Sequence, residues 1–281
     1  MSLRAGLEII RPVNCAMIGF AVIVGEFVSR PPALSAAGSA LGFLTGFLIC
    51  AYSMAVNDIY DAEVDRVNQP GRPIPSGRMT PQGANRLSML ALIAGMACSV
   101  LSLSVVAVAV AAAYAFLSWL YSHSAKKQGL GGNLIVASSL AIPFVYGGVI
   151  SGGTIFGSLL LLMALTAFFA GAGREVVKAM ADVEGDAQRG INSVARAKGM
   201  NAAAATGGAF FLLAVATSWV PLVAGLANVL YTYGVAVPDA IFVLLAVWIA
   251  RDRRPSNAHR VKQLALLGML AGLLVFIGGG L

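Results

Sequence analysis

The stretch LSAAGSALGFLTGFLICAYSMAVNDIYDAEVD, residues 34–65, decides the fold. Residues 34–56 contain no charged side chain, and a helix needs about 20 mostly apolar residues to cross the hydrocarbon core of a bilayer. The segment that follows, residues 57–65, carries four acids: Asp58, Asp61, Glu63 and Asp65. The stretch therefore predicts a membrane-spanning helix that brings a cluster of carboxylates to one membrane surface.

The rest of the chain is equally apolar. Of its 281 residues, 58% are hydrophobic and 11% are charged, whereas soluble domains carry about 25% charged residues; the mean hydropathy is +0.83. We predict an all-α polytopic membrane protein, a single transmembrane domain over 1–281, with nine helices around a central cavity. Their expected ranges are 10–28, 34–56, 86–103, 105–122, 134–152, 155–173, 201–219, 222–250 (interrupted by Pro and Gly, with an interfacial or re-entrant piece) and 263–281.

The basic residues predict the orientation. One membrane side carries 18 of the 19 lysines and arginines, and only Arg30 lies opposite. The positive-inside rule places the basic side in the cytoplasm, which predicts a multi-pass protein of the cell membrane. This asymmetry explains the pI of about 9.6 without a nucleic-acid partner. The expected partners are the lipid bilayer and anionic, phosphorylated substrates. The basic side comprises the N-terminus and the connections near 57–85 (with Arg86), 123–133, 174–200 and 251–262.

Eight of the 12 acidic residues fall in two short segments on the cytoplasmic side. The first holds Asp58, Asp61, Glu63 and Asp65, and the second holds Glu175, Asp182, Glu184 and Asp186. Asn57, Asp61 and Asp65 are spaced by four, and Asp182 and Asp186 repeat that spacing in the segment 182–186. On a continuing helix such residues share a face, where like charges repel unless a cation lies between them. Mg²⁺ prefers oxygen ligands and is typically held by one or two carboxylates plus substrate phosphates. The pairing predicts a magnesium–diphosphate site at the end of two helices.

Basic side chains accompany both acidic segments. The run RVNQPGRPIPSGRMTP, residues 66–81, is rich in proline, which cannot extend the helix, and it presents arginines that can bind phosphate oxygens in bidentate fashion. The candidate phosphate-binding residues are Arg66, Arg72, Lys126, Lys127, Arg174 and Lys178. These cations could instead anchor the topology or bind lipid headgroups, and Arg174 and Lys178 could pair with neighbouring acids.

At these residues the sequence resembles the UbiA superfamily of intramembrane prenyltransferases. The family's NxxxDxxxD motif is matched by Asn57, Asp61 and Asp65, and its DxxxD motif by Asp182 and Asp186. The resemblance extends over essentially the whole chain. It implies that the four aspartates are catalytic and hold Mg²⁺ with help from Asn57. It also implies that the metal binds the diphosphate of an allylic prenyl donor.

Four shorter runs are similar to the archaeal branch that makes digeranylgeranylglyceryl phosphate: RPVN (11–14), RPIPSG (72–77), KKQGLGGN (126–133) and REVVK (174–178). This resemblance implies transfer of a geranylgeranyl group from geranylgeranyl diphosphate to geranylgeranylglyceryl phosphate, a lipid-like acceptor, in archaeal ether-lipid synthesis. It adds Asn14 to the substrate-binding residues and assigns Lys126, Lys127, Arg174 and Lys178 to the acceptor phosphate. One position departs from the pattern: relatives often carry Asp where this chain has Ala179.

Two alternatives remain at this point. An aromatic acceptor, as in quinone, haem or chlorophyll biosynthesis, would keep the donor chemistry and change the second substrate. A transporter would use intramembrane carboxylates as an ion path, but its acids should lie near the bilayer midplane in paired broken helices, whereas these lie at helix ends on one side. No Ser-His-Asp pattern, Walker-type loop or GxGxxG run occurs, which excludes the corresponding hydrolase, ATPase and dinucleotide-binding classes. The oligomeric state and the donor chain length stay open.

Overall fold

Helices account for nearly all of the regular structure in the computed structural model of this protein, which describes residues 3–29, 35–153, 158–188 and 190–280. Within those ranges no β-strand is present, which confirms the all-α prediction. A short 3-10 turn, Ala125–Gln128, precedes α6. In chain order the helices are α1 (Leu3–Ile10), α2 (Pro12–Val28), α3 (Ala36–Asn68), α4 (Pro81–Leu101), α5 (Val105–His123), α6 (Leu130–Ser151), α7 (Ser158–Ala181), α8 (Val183–Gln188), α9 (Val194–Val223), α10 (Val229–Gly234), α11 (Ala236–Arg251) and α12 (Pro255–Gly280).

The number of membrane-spanning helices agrees with the prediction. Eight segments of the described chain are long and apolar enough to cross a bilayer, and α1 with α2, bent by 50°, forms a candidate ninth span. The bend lies at Arg11, whose φ of 52° is left-handed and uncommon outside glycine. The protein is therefore a multi-pass membrane protein. Leu34, residues 155–157 and Leu281 of the predicted spans, together with Arg30 and Arg189, lie outside the described residues.

The interrupted eighth span divides into two helices. Helix α9 ends at Val223, Gly225 follows with a left-handed φ of 67°, and α10 begins after Asn228, whose side chain accepts a hydrogen bond from the Tyr231 amide at 2.9 Å. The short α10 and the longer α11 together make one apolar segment, Val229–Arg251. The predicted interruption is present, but α10 belongs to the candidate span and is not a separate piece before it.

Glycines allow the helices on one side of the cavity to pack closely. A Cβ built on Gly25 would lie 2.1 Å from the carbonyl oxygen of Phe144, and one on Gly147 would lie 2.1 Å from that of Val22. Helices α2 and α6 therefore touch backbone to backbone, as small residues permit in membrane proteins. This contact fixes α6, which forms one wall of the cavity described below.

The first aspartate-rich segment is helical. Helix α3 continues without a break from the membrane through Asn68, so residues 57–65 form its last turns and not a loop. In the second segment Asp182 lies in the turn between α7 and α8, and Asp186 lies within the short helix α8. Both segments thus keep their aspartates on rigid elements at the end of a long helix.

Candidate active site

A cavity of about 550 Å³ lies among α3, α5, α6 and α7 and reaches the ends that carry the acidic segments. Its wall includes side chains from both halves of the chain, which the sequence predicted would meet. The predicted residues that line it are Asn57, Asp61, Asp65, Asp182 and Asp186. The two aspartate-rich segments therefore face one common space.

The acids of α3 are paired with cations inside this cavity. Asn57 donates a hydrogen bond through Nδ2 to Asp61 Oδ2 at 3.1 Å, and Lys126 forms a salt bridge with the same carboxylate. Arg72 Nη1 lies 2.5 Å from Asp65 Oδ2, on a side chain that is 1% exposed. Burying a carboxylate is costly unless a charge or hydrogen bonds compensate it. Arg72 and Lys126 supply that compensation.

Asp58 and Arg11 belong to the same cluster, although sequence reasoning did not select either of them. Asp58 is buried and accepts from Arg11 Nη2 at 2.5 Å and from Arg72 Nη1 at 3.3 Å. Arg11 also lines the cavity. One buried carboxylate thus holds two guanidinium groups, one from the α1–α2 bend and one from the α3–α4 connection. The RPVN run was the sequence signal that pointed to Arg11.

The second acidic segment is less deeply buried at its start. The Asp182 side chain is 48% exposed, and Lys262 of α12 places its Nζ 3.5 Å from Asp182 Oδ1. Asp186 is buried, and its amide donates to the Asp182 carbonyl at 2.8 Å. Arg196 donates to the Asp186 carbonyl at 3.2 Å and so fastens the turn after α8. Helix α12, which sequence reasoning had not linked to the site, therefore contributes a cation to it.

Glu175 forms a separate buried ion cluster near the end of α7. Arg174 Nη1 lies 2.8 Å from Glu175 Oε1, and Lys178 Nζ lies 2.9 Å from Oε2. The pairing of these cations with a neighbouring acid was one of the alternatives left open by the sequence. Glu175 and Lys178 both line the cavity, and the cluster of one carboxylate and two cations carries a net positive charge.

The predicted phosphate-binding residues divide into two sets. Arg72, Lys126 and Lys178 line the cavity, as does Ala179, the position at which relatives often carry Asp. The other set does not contribute to its lining. Arg66 is exposed and pairs with Glu63 at 3.0 Å, and Arg174 contacts Glu175. Asn14 and Lys127 are exposed on the surface.

Apolar side chains also line the cavity. They come from membrane-spanning helices and include Leu117 of α5 and Ile135 and Ile142 of α6, and Tyr114 of α5 lines it as well. Ligand sites typically combine apolar side chains with a small number of polar groups. The combination of charged and apolar lining fits an amphiphile with an anionic head.

The donor set fits magnesium held together with a substrate phosphate. In the described part of the chain, no three His, Cys, Asp or Glu side chains converge closely enough to enclose a metal ion. The carboxylates instead form separate groups that face one cavity, and four of them already bind a side-chain cation: Asp61, Asp65, Glu175 and Asp182. Magnesium typically takes one or two carboxylates and completes its shell with water and phosphate oxygens. Such a donor set suits a metal–diphosphate complex better than a closed protein cage.

A multi-pass helical bundle with carboxylates, cations and apolar side chains around one cavity defines a membrane enzyme that handles an amphiphilic phosphorylated substrate. Residues 18–273 match the UbiA prenyltransferase family. The chain belongs to that family and is a membrane prenyltransferase. The resemblance that the two aspartate motifs carried in the sequence is thereby confirmed.

Three individual proteins are similar to this chain along nearly its full length. The digeranylgeranylglyceryl phosphate synthase of Methanopyrus kandleri is 33% identical to this chain over 275 residues, which cover 98% of both chains. A solved structure from work on digeranylgeranylglyceryl phosphate synthase in membranes is 29% identical, with a TM-score of 0.79 over 99% of this chain and 98% of the other. A UbiA homologue from Archaeoglobus fulgidus, solved with GPP and Mg²⁺ bound, has the same fold, with a TM-score of 0.65 and 17% identity over 97% of this chain and 99% of its own.

Proposed function

We propose that the protein transfers a geranylgeranyl group from geranylgeranyl diphosphate to geranylgeranylglyceryl phosphate in archaeal ether-lipid synthesis. In this reaction the bond between the prenyl carbon and the diphosphate oxygen breaks. An ether bond forms to the acceptor hydroxyl, which releases its proton. The observation that carries the proposal is the single cavity that joins paired carboxylates and cations to an apolar wall. Similarity along the full chain to a digeranylgeranylglyceryl phosphate synthase supports this choice of acceptor.

The proposed metal is Mg²⁺, with Asp61, Asp65, Asp182 and Asp186 as its ligands and Asn57 assisting. Their carboxylate chemistry and their position around one cavity support this assignment. A homologue of the same fold was solved with Mg²⁺ and a prenyl diphosphate. When bound, the metal supplies Lewis-acid stabilisation of the charge that develops on the leaving diphosphate.

The chain's own cations have a defined part in this proposal. Arg72 and Lys126 now neutralise Asp65 and Asp61, and both side chains line the cavity where a diphosphate would lie. A guanidinium can donate to two phosphate oxygens at once. Asp58 also contacts Arg72. The guanidinium can therefore stay bound to Asp58 while its other N–H groups donate to the diphosphate. The apolar wall excludes water, which would otherwise quench an allylic cation.

The active site is proposed to open on the cytoplasmic side. The aspartate-bearing ends of α3 and α7 lie with the loops that hold almost all lysines and arginines, and basic loops face the cytoplasm in membrane proteins. The two acidic segments come from opposite halves of the chain and line the same cavity. We therefore take residues 1–281 to act as one transmembrane domain.

A reconstituted assay tests this function. Purified protein with labelled geranylgeranyl diphosphate and Mg²⁺ should prenylate geranylgeranylglyceryl phosphate and leave aromatic acids unmodified. Asp61→Ala should abolish Mg²⁺-dependent diphosphate release, whereas Glu63→Gln, an exposed position on the same helix, should keep wild-type turnover. Product from aromatic acids alone would refute the proposed acceptor. Full activity of Asp61→Ala would refute the proposed metal site.

A further inference from the structure

Two buried polar groups on the cavity wall have no hydrogen-bond partner within the described part of the chain. Ser193 is 1% exposed, and its hydroxyl makes no hydrogen bond. The side-chain nitrogen of Asn133 is buried and lacks an acceptor in the same way. Both residues line the cavity. Since buried polar groups are nearly always hydrogen-bonded, such a pair in a binding cavity indicates that a ligand completes it.

The unused hydroxyl is unusual for its position. Ser193 is the residue before α9, where a serine side chain ordinarily accepts a hydrogen bond from the backbone of the first helical turn. Here it makes no such bond, although Ser35, Ser104 and Thr80 each make one at the start of their own helices. The Ser193 hydroxyl is therefore buried without the local use that explains the other three.

A glycine contact brings the two residues to the same part of the wall. Gly129 has a left-handed φ of 61°, and a Cβ on it would lie 2.1 Å from the Asn192 carbonyl oxygen and 3.5 Å from Ser193 Cα. The Asn192 amide also donates to the Lys127 carbonyl at 3.3 Å. Asn133 lies one turn into α6, and its backbone amide donates to the Gly129 carbonyl. The start of α6 is thus packed against the segment that carries Ser193.

Lys178 adds a positively charged hydrogen-bond donor to this wall, on the helix that leads to the acids Asp182, Glu184 and Asp186. Lys178 lines the same cavity, and its ammonium group has three donors, one of which goes to Glu175 at 2.9 Å. Glu175 is also neutralised by Arg174, so its single negative charge is opposed by two positive ones. Asn133, Ser193 and Lys178, which we call the donor wall, therefore offer an amide, a hydroxyl and an ammonium to a ligand that accepts hydrogen bonds.

We infer that the donor wall binds the phosphate of the lipid acceptor. This inference rests on the proposed function and names the part of the site that selects the acceptor. A phosphate monoester has only acceptor oxygens at neutral pH, and these match the three donors. The diphosphate of the prenyl donor is instead assigned to the proposed metal, held by Asp61, Asp65, Asp182 and Asp186, together with Arg72. An aromatic acid without a phosphate would leave the donor wall incompletely used.

Steady-state kinetics with two acceptors test the inference. Ser193→Ala and Asn133→Ala should each raise the KM for geranylgeranylglyceryl phosphate by roughly tenfold or more, because hydrogen bonds to charged groups are among the stronger ones. The KM for geranylgeranyl diphosphate and the Mg²⁺ dependence should not change. With geranylgeranylglycerol, which lacks the phosphate, both variants should match the wild type, which also shows that they are folded. The control is Ser138→Ala, since the Ser138 hydroxyl bonds to the Leu134 carbonyl at 2.8 Å and does not line the cavity.

A variant that introduces a negative charge sharpens the result. Asn133→Asp keeps the side-chain size but places a carboxylate against the phosphate, so it should impair the phosphorylated acceptor far more than the dephosphorylated one. A rise in the KM for the donor diphosphate instead, or an unchanged acceptor KM in all three variants, would overturn the inference. A wild-type protein that makes no product with geranylgeranylglyceryl phosphate would refute both the proposed function and the donor wall. An active wild type with unaffected variants would refute the donor wall alone.

Discussion

Replacing Asp58 by Asn should weaken both the fold and the binding of the donor substrate. Asp58 is buried on α3 and receives Arg11 at 2.5 Å and Arg72 at 3.3 Å. The amide of Asn has nearly the same size as the carboxylate, so the change removes the charge and leaves the packing almost intact. Two guanidinium groups then lose their common anion. Arg72 keeps Asp65 as its remaining anchor.

The two distances set the size of the effect. Hydrogen bonds to charged groups contribute about 1.5–3 kcal/mol each, and the contact of 2.5 Å should account for most of that while the contact of 3.3 Å adds less. The Arg11 and Arg72 side chains are 32% and 24% exposed, so water can partly replace the lost partner. We therefore expect a loss of about 2 kcal/mol in unfolding free energy, from the lower part of the range for charged hydrogen bonds.

Thermal unfolding of the detergent-solubilised protein measures the first effect, and the KM for geranylgeranyl diphosphate measures the second. Glu63→Gln is the matched control, because Glu63 lies on the same helix, is 80% exposed and pairs with the exposed Arg66. Surface pairs of this kind contribute little. Asp58→Glu should recover part of the donor affinity, since it restores the charge. Identical unfolding temperatures and donor KM values for Asp58→Asn and Glu63→Gln would refute this reasoning.

Three further substitutions have defined outcomes. Gly129→Ala should unfold the protein at a clearly lower temperature than Gly77→Ala, because both positions have a left-handed φ but only the new methyl at 129 meets backbone; equal temperatures would contradict the close contact. Gly25→Ala should separate α2 from α6, since its Cβ would lie 2.1 Å from the Phe144 carbonyl, and wild-type thermal stability would exclude that. Ala179→Asp should lower the Mg²⁺ concentration for half-maximal activity by adding an acid to the cavity wall; an unchanged or higher requirement would show that an acid there does not serve the metal.

The membrane helices and the family could be predicted because they depend on local patterns. Apolar length alone defines a span, and the two aspartate motifs carry the family resemblance, which the match over residues 18–273 confirms. The start of the chain was harder to predict. The first candidate span is divided into two helices, and the bend between them at Arg11 uses a left-handed conformation that a non-glycine residue rarely adopts, so no residue type indicated it.

Which cations face the cavity could not be read from the sequence. Lys126 lines it and Lys127 is exposed, although the two are adjacent residues of the same type. The short 3-10 turn that contains them sends consecutive side chains to different sides, and its orientation depends on the tertiary contact of Gly129 with the segment before α9. Asn133 and Ser193 were missed for the same reason. Whether a buried hydrogen-bond donor has a partner depends on how the folded chain packs, and no sequence pattern indicates it.

The helical phase of α3 explains why one run of acids serves several purposes. At about 100° per residue, Asn57, Asp61 and Asp65 fall within about 80° of one another. Asp58 lies only about 20° beyond Asp65, which is why Arg72 reaches both carboxylates. Glu63 points to the opposite side and is exposed. The spacing of four therefore defines the cavity face, and the additional acid at position 58 lies at the edge of that face, where it holds the two arginines.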